Sequence, residues 1–355
     1  FGPDKIWSSR SLESYAYCPF RFFLEDVLRV EPLDDLAVAD DGRSRGEALH
    51  GALAAAHRAA LAAHGKPLTP SAAGDAFTTG FKQHLQALVE SLQSHSGFDR
   101  TLRDIDLEMI GELLSLYVAQ HETYEAEMGG APLLPAHFEV SFGLPEQYGA
   151  VLDSLSKVEP LAMGEGEDRV LLRGQIDRID VGRVGDRSFY SIVDYKSSRP
   201  AGPKAATPGV VDRMRLQLDL YAWAAELLLA HDGAAPWQTG YWFVRVGGGH
   251  KSWRPLCAVE DGVVVDKQNW REAKDALVRR VQSLVRAVRG GQFPMASAEE
   301  DCTGRCPYGT VCRVNESRAL DRIWLDGPFA EETTGDGADS LPLALGESRR
   351  EGESP

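Results

Sequence analysis

The chain has 355 residues, 43% of them hydrophobic and 26% charged, which is the balance of an ordinary globular protein with ample core. Its formal net charge of −15 excludes a surface that is basic throughout, so any nucleic-acid path must be a local groove. No apolar run approaches the ~20 residues that span a bilayer, and no membrane partner is expected.

In chain order, Ser11–Val30 carries aromatic and aliphatic residues at helical spacing, and Gly46–His64 is rich in Ala and Leu. Ser71–Ser94 and Leu102–Met128 also read as helices, the second with Ile105, Met109, Leu113 and Leu116 on one face. Pro132 and Pro135 close that region, and the pattern changes to strands at His137–Leu144, Arg169–Val181 and Ser188–Tyr195. A loop at Pro200–Pro208 precedes a helix over Val211–His231. Strands follow at Thr239–Val246 and Trp253–Val259, then a helix over Lys267–Arg289. Helices followed by β-β-β-α-β-β predict an α/β fold with a mixed sheet rather than a doubly wound parallel one.

The expected division is a helical region over residues 1–130, a core over 131–315 and an acidic tail over 316–355. From Asp326 to Pro355 eight acids stand against Arg349 and Arg350, so disorder is expected there. The start lacks both an initiator Met and a secretory apolar segment, which reads as an excised domain or processed product in the cytoplasm. No phosphate-cradling Gly-x-x-x-x-Gly-Lys-Ser/Thr loop occurs, so no nucleotide motor is visible. Arg10, Arg21, Arg43, Arg45 and the Arg279–Arg289 stretch are the basic residues available to a groove.

The chemistry concentrates in two strands. Gly174-Gln-Ile-Asp177-Arg-Ile-Asp180 is followed, after a tight turn near Gly182–Asp186, by Ile192-Val-Asp194-Tyr-Lys196. Antiparallel pairing would bring Asp177 towards Asp194, and Asp194 and Lys196, two apart, share a face. Carboxylates that hold Mg²⁺ or Mn²⁺ beside a lysine that orients water or stabilises charge are what phosphodiester hydrolysis needs. An isolated Asp-x-Lys at a strand end is more often a surface ion pair, so the companion residues matter. His50, in Arg45-Gly-Glu-Ala-Leu-His50, offers an imidazole ligand from a helix. Gln217 and Tyr221 lie at i and i+4 on the later helix and share a face.

His, Gly-x-x-Asp, Asp-x-Lys and Gln-x-x-x-Tyr in this order resemble the RecB/AddB-type branch of the PD-(D/E)XK nuclease superfamily, over about Trp7 to Arg313. The resemblance implies a restriction-endonuclease-like mixed β-sheet core flanked by helices. It implies His50, Asp177 and Asp194 as metal ligands with the Tyr195 carbonyl assisting, Lys196 as the catalytic lysine, and Gln217 and Tyr221 in support. Glu139, in His137-Phe-Glu139-Val, resembles a less regular acidic position of the family. The implied function is metal-dependent exonuclease action on DNA, on single-stranded ends, in a bacterial helicase–nuclease of double-strand-break repair. Its partner would be a helicase subunit or helicase domain. The alternative is a catalytically silent single-strand-binding or scaffold module of the same fold.

Of five cysteines, Cys18 stands near the start and Cys302, Cys306 and Cys312 cluster near the end. Four thiolates suit an iron–sulfur cluster or structural zinc. This pattern resembles the four-iron four-sulfur staple of AddB-type nucleases, with a slightly different spacing, and would tie the N- and C-terminal segments together. Cys257 falls outside it and reads as a small buried residue.

Overall fold

The computed structural model of the chain describes residues 1–31, 42–91, 97–128, 133–145, 152–197, 216–260, 263–266, 269–295, 306–309 and 311–312. The loop expected at Pro200–Pro208, the acidic tail and Cys302 lie outside these residues.

Strand β1 (Ile6–Ser8) leads into helix α1 (Ser9–Tyr17), which Ser8 caps through a reciprocal bond with Ser11. The single helix expected over Ser11–Val30 is broken at Cys18, which is extended at φ −156° and ψ 102°. Pro19 is the cause, since its ring disfavours helical backbone in the preceding residue. The chain restarts as α2 (Pro19–Phe22), with Cys18 Sγ accepting the Arg21 amide, and runs into a π-helical turn over Phe23–Val27. Helices α3 (Gly42–His64), α4 (Pro70–Ala73), α5 (Asp75–Ser91) and α6 (Gly97–Met128) follow. Gly74, at φ 54°, splits the helix expected over Ser71–Ser94 into α4 and α5.

The remaining strands are β2 (Leu134–Phe142), β3 (Leu161–Met163), β4 (Val170–Val184), β5 (Arg187–Lys196), β6 (Ala235–Phe243), β7 (Gly249–Pro255), β8 (Cys257–Glu260) and β9 (Val263–Asp266). Helix α7 (Gln217–Leu228) lies between β5 and β6, and α8 (Trp270–Arg289) follows β9. The sheet is mixed, and β4 is its spine. Parallel β1 and antiparallel β3 flank the first residues of β4; antiparallel β2 and β5 flank the rest. Strand β5 pairs in parallel with β6, which requires a crossover, and α7 supplies it. Strand β7 closes the sheet antiparallel to β6, while β8 and β9 form a separate hairpin. The strand expected over Trp253–Val259 is therefore two strands, divided at Leu256.

Alternation along β4 and β5 sorts their side chains between two apolar clusters. On one face Ile179, Tyr190 and Ile192 pack with Leu12 and Tyr15 of α1, Ala222 of α7 and Val281 of α8. On the other, Val193 and Tyr195 pack with Leu53 of α3, Phe81 of α5 and Tyr117 of α6. The sheet is thus sandwiched between helical layers, with helices flanking a mixed sheet as expected. Among the described residues no helix is long and apolar enough to cross a membrane.

Candidate active site

The β4–β5 hairpin turns at Gly185, which takes a positive φ of 60°, as a tight hairpin loop demands. Its register pairs Arg178 with Val193, so one further step sets Asp177 opposite Asp194. The backbone N–H of Tyr195 donates to Asp177 Oδ2 at 2.7 Å and ties the two strands together at that point. Gly174 belongs to the same design. A Cβ there would stand 2.8 Å from the Phe142 ring and 3.0 Å from the Tyr221 ring, so only glycine admits both aromatic neighbours.

The other expected residues converge on this point. His50 Nδ1 lies 3.3 Å from Asp177 Oδ2. Lys196 forms an ion pair with Asp194 Oδ2. Gln217 Nε2 donates to Asp194 Oδ1 at 2.8 Å and lies 3.4 Å from the Tyr221 hydroxyl, so the shared helix face holds. Glu139 sits on β2 in the left-handed region, at φ 52°. It accepts a hydrogen bond from Gln175 on Oε2, while its buried Oε1 has no partner among the described residues. His50, Glu139 and Asp177 each present a donor atom, all within 4.8 Å of one another, which suits a divalent cation. Asp194 lies beside this trio with its two oxygens engaged by Gln217 and Lys196.

The electrostatics match that crowding. Burial, then the charge of Asp177, pushes the Asp194 carboxyl up to about 7 against the pull of Lys196 and His50. Burial and Asp177 likewise raise Glu139 to about 7. Burial also opposes the charged form of Asp177, but His50, the Tyr195 N–H and Lys196 outweigh it and hold that carboxyl low. For His50, burial is overcome by Asp177, Asp194 and Glu139, and the imidazole rises to about 9. Like charges packed out of water cannot all ionise unless a cation joins them.

Behind this site lies a buried constellation that the motifs do not announce. Arg178, wholly buried, donates from Nε and Nη2 to Asp180 at 2.6 Å each and from Nη1 to the Tyr117 hydroxyl at 2.6 Å. Tyr117 also lies 2.9 Å from the Tyr195 hydroxyl and 2.9 Å from His57 Nε2. The signal was present in Arg178-Ile-Asp180: two opposite charges two apart on a strand with apolar neighbours must share one face.

Three of the basic residues have partners within the fold. Arg289 donates to the carbonyls of Glu167 and Arg169, Arg286 lies 3.5 Å from Asp168, and Arg21 pairs with Glu25 at 2.8 Å. Of the cysteines, Cys18 and Cys312 are buried and Cys306 half-buried. Among the described residues no group of three close donor atoms contains a cysteine. The Tyr308 hydroxyl donates to Val30 O at 2.7 Å, so the turn bearing Cys306 and Cys312 docks on the N-terminal segment. Cys257 is buried, its thiol 3.6 Å from Pro236 O.

Comparison with known proteins gives the family. The family description of the PD-(D/E)XK nuclease superfamily matches residues 6–313. The chain belongs to this superfamily. Its mixed sheet between helical layers is consistent with the restriction-endonuclease-like fold. This superfamily member is 29% identical over 225 residues to an ATP-dependent helicase/deoxyribonuclease subunit of Moorella thermoacetica, covering 61% of this chain and 17% of that one. It is 42% identical over 69 residues to the protein of the same description from Staphylococcus saprophyticus, covering 19% of this chain and 6% of the relative. The chain thus spans under a fifth of the length of either relative.

Proposed function

We propose that this chain is the nuclease domain of a bacterial helicase–nuclease of double-strand-break repair, hydrolysing DNA as a divalent-metal-dependent exonuclease. The observation that carries the reading is the convergence of His50, Glu139 and Asp177 donors within 4.8 Å, beside Asp194 and Lys196. Relatives described as helicase/deoxyribonuclease subunits support the DNA substrate and a helicase partner.

His50, Glu139 and Asp177 would hold Mg²⁺ or Mn²⁺, with Asp194 and the Tyr195 carbonyl as further donors. The bound ion would supply charge neutralisation at the scissile phosphate and acidify water. The protein's own groups do the rest. The Tyr195 N–H fixes the Asp177 carboxylate, and Gln217 fixes that of Asp194. Lys196 is 38% exposed, so its ammonium can meet a phosphate oxygen and stabilise the charge that grows as water attacks phosphorus. The products would be a 5′ phosphate and a 3′ hydroxyl. Tyr221 backs Gln217 from the same helix face.

The cysteines are proposed to hold a four-iron four-sulfur cluster as a structural staple, with zinc as the alternative occupant. Docking of the Cys306–Cys312 turn on the N-terminal segment supports this reading. Iron and acid-labile sulfide analysis of anaerobically purified protein tests it, and stoichiometric zinc without iron would overturn it. For the nuclease itself, labelled single-stranded DNA with Mg²⁺ or Mn²⁺ is the assay. Cleavage that chelation abolishes is the expected result; tight binding without cleavage would make the chain a silent module.

A further inference from the structure

Helix α7 carries Gln217 at its first position, yet its N-cap residue, Leu216, provides no side-chain cap. The first N–H groups of a helix need an acceptor. Here the acceptor comes from 203 residues away: Glu13 Oε1, on α1, accepts from the Leu216 amide at 2.6 Å and the Gln217 amide at 2.8 Å. The same Gln217 donates from its side chain to Asp194 Oδ1 at 2.8 Å. One helical turn before Glu13, Ser9 lines the same small cavity as Tyr221. Ser9 and Glu13 are i and i+4 on α1, as Gln217 and Tyr221 are on α7, so the same faces of the two helices meet, and the Glu13 bonds join them.

Helix α1 is itself firmly held. Leu12, Tyr15 and Ala16 are buried in the core, and the Tyr15 hydroxyl donates to Gln292 O at 2.7 Å. Its C-cap residue is Cys18. A carboxylate on a fixed helix therefore sets the axial position of α7, and with it the reach of Gln217.

We propose that Glu13 is a positioning residue of the active site: by capping α7 from α1 it places the Gln217 amide on Asp194. For its effect on catalysis this rests on the nuclease reading. The requirement is reach and two lone pairs rather than charge, which separates two conservative variants. Glu13→Gln keeps the length and a carbonyl acceptor; Glu13→Asp keeps the charge but shortens the arm by one methylene.

The test combines amide spectra with kinetics on folded, full-length variants. In Glu13→Ala and Glu13→Asp, the Leu216 and Gln217 amides exchange faster and the Gln217 side-chain NH₂ resonance, assigned with Gln217→Ala, shifts. Amides of β4 and β5 stay protected. The turnover number falls on the order of 10- to 100-fold, as small misplacements of a catalytic group do. In a Gln217→Ala background the Glu13 substitutions add no further loss, because both act through one contact. Glu13→Gln retains most activity and the native Gln217 signal. Unchanged amide and side-chain signals in Glu13→Asp would overturn the proposal. So would losses that multiply in the Gln217→Ala background, faster exchange without loss of turnover, or Glu13→Asp performing as well as Glu13→Gln. If wild-type protein fails to cut DNA with any divalent cation, the nuclease reading falls, while the Gln217 resonance still decides whether Glu13 places it.

Discussion

The two faces of the β4–β5 hairpin use the same kinds of residue to opposite ends. On one, Asp177, Asp194 and Lys196 meet His50 and Glu139, and the carboxyls are pushed apart in their proton affinities. On the other, Arg178 engages Asp180 and Tyr117 with every side-chain nitrogen, behind Trp242 and Tyr195. One face stores unresolved charge that an incoming cation can use; the other resolves its charge internally and fixes the strands that hold the first. Neighbouring residues take these different roles because successive strand side chains alternate in direction. His50 and His57, seven apart on α3, repeat the contrast: carboxylates raise the first, while burial and then Arg178 and His121 hold the second well below the usual imidazole range.

If that contrast is right, the front face should yield activity losses without unfolding. Asp194→Ala is expected to bring cleavage to background with an unchanged or higher Tm, since it removes a repelled buried charge, and Asp177→Ala to do so with a modestly lower Tm, since His50 and the Tyr195 N–H hold that carboxylate. Lys196→Ala should cost on the order of 100- to 1,000-fold in kcat, in single-turnover assays at saturating Mn²⁺. The back face should do the reverse. Arg178→Ala strands Asp180 as a buried, unpaired carboxylate and should cost about 3–5 kcal/mol in denaturant titrations. A fully stable Arg178→Ala would break the comparison.

The contrast also shows what could be read in advance. Among the described residues, motif order located those that reach Asp177 or Asp194 by side chain, His50, Lys196 and Gln217, because residue types at fixed strand and helix periods are legible in a sequence. Glu139 was the weak member, and its position depends on a left-handed backbone that no spacing announces. The mixed sheet was legible from the alternation of strand and helix patterns. Strands β1 and β3, three residues each, are too short to show a period, and their pairing with β4 is a tertiary fact. Glu13 was invisible for the same reason: its partner lies 203 residues on.

A smaller effect sharpens the comparison through pH. The buried His57 stays neutral in the fold, whereas the unfolded chain takes up a proton near its ordinary value of about 6.5. The unfolded state then binds more protons below that pH, so stability is complete above it and falls as pH drops. The expected slope is about 1.4 kcal/mol per pH unit for this one group. His57→Phe, which can keep the stack on Phe138, should flatten that acid limb in Tm measured from pH 7 to 5. An unaltered limb would move the acid sensitivity elsewhere. Smaller still, Tyr117→Phe removes the hydroxyl shared by Arg178, Tyr195 and His57 and should cost roughly 1–3 kcal/mol while leaving the metal requirement unchanged.

The most direct measurement is cleavage of end-labelled single-stranded DNA by wild type and Asp194→Ala side by side in Mn²⁺, with Tm recorded for both. Processive loss of label by wild type, none by the variant and matching melts are the predicted result. Equal cleavage by a folded Asp194→Ala protein would contradict the account at its centre.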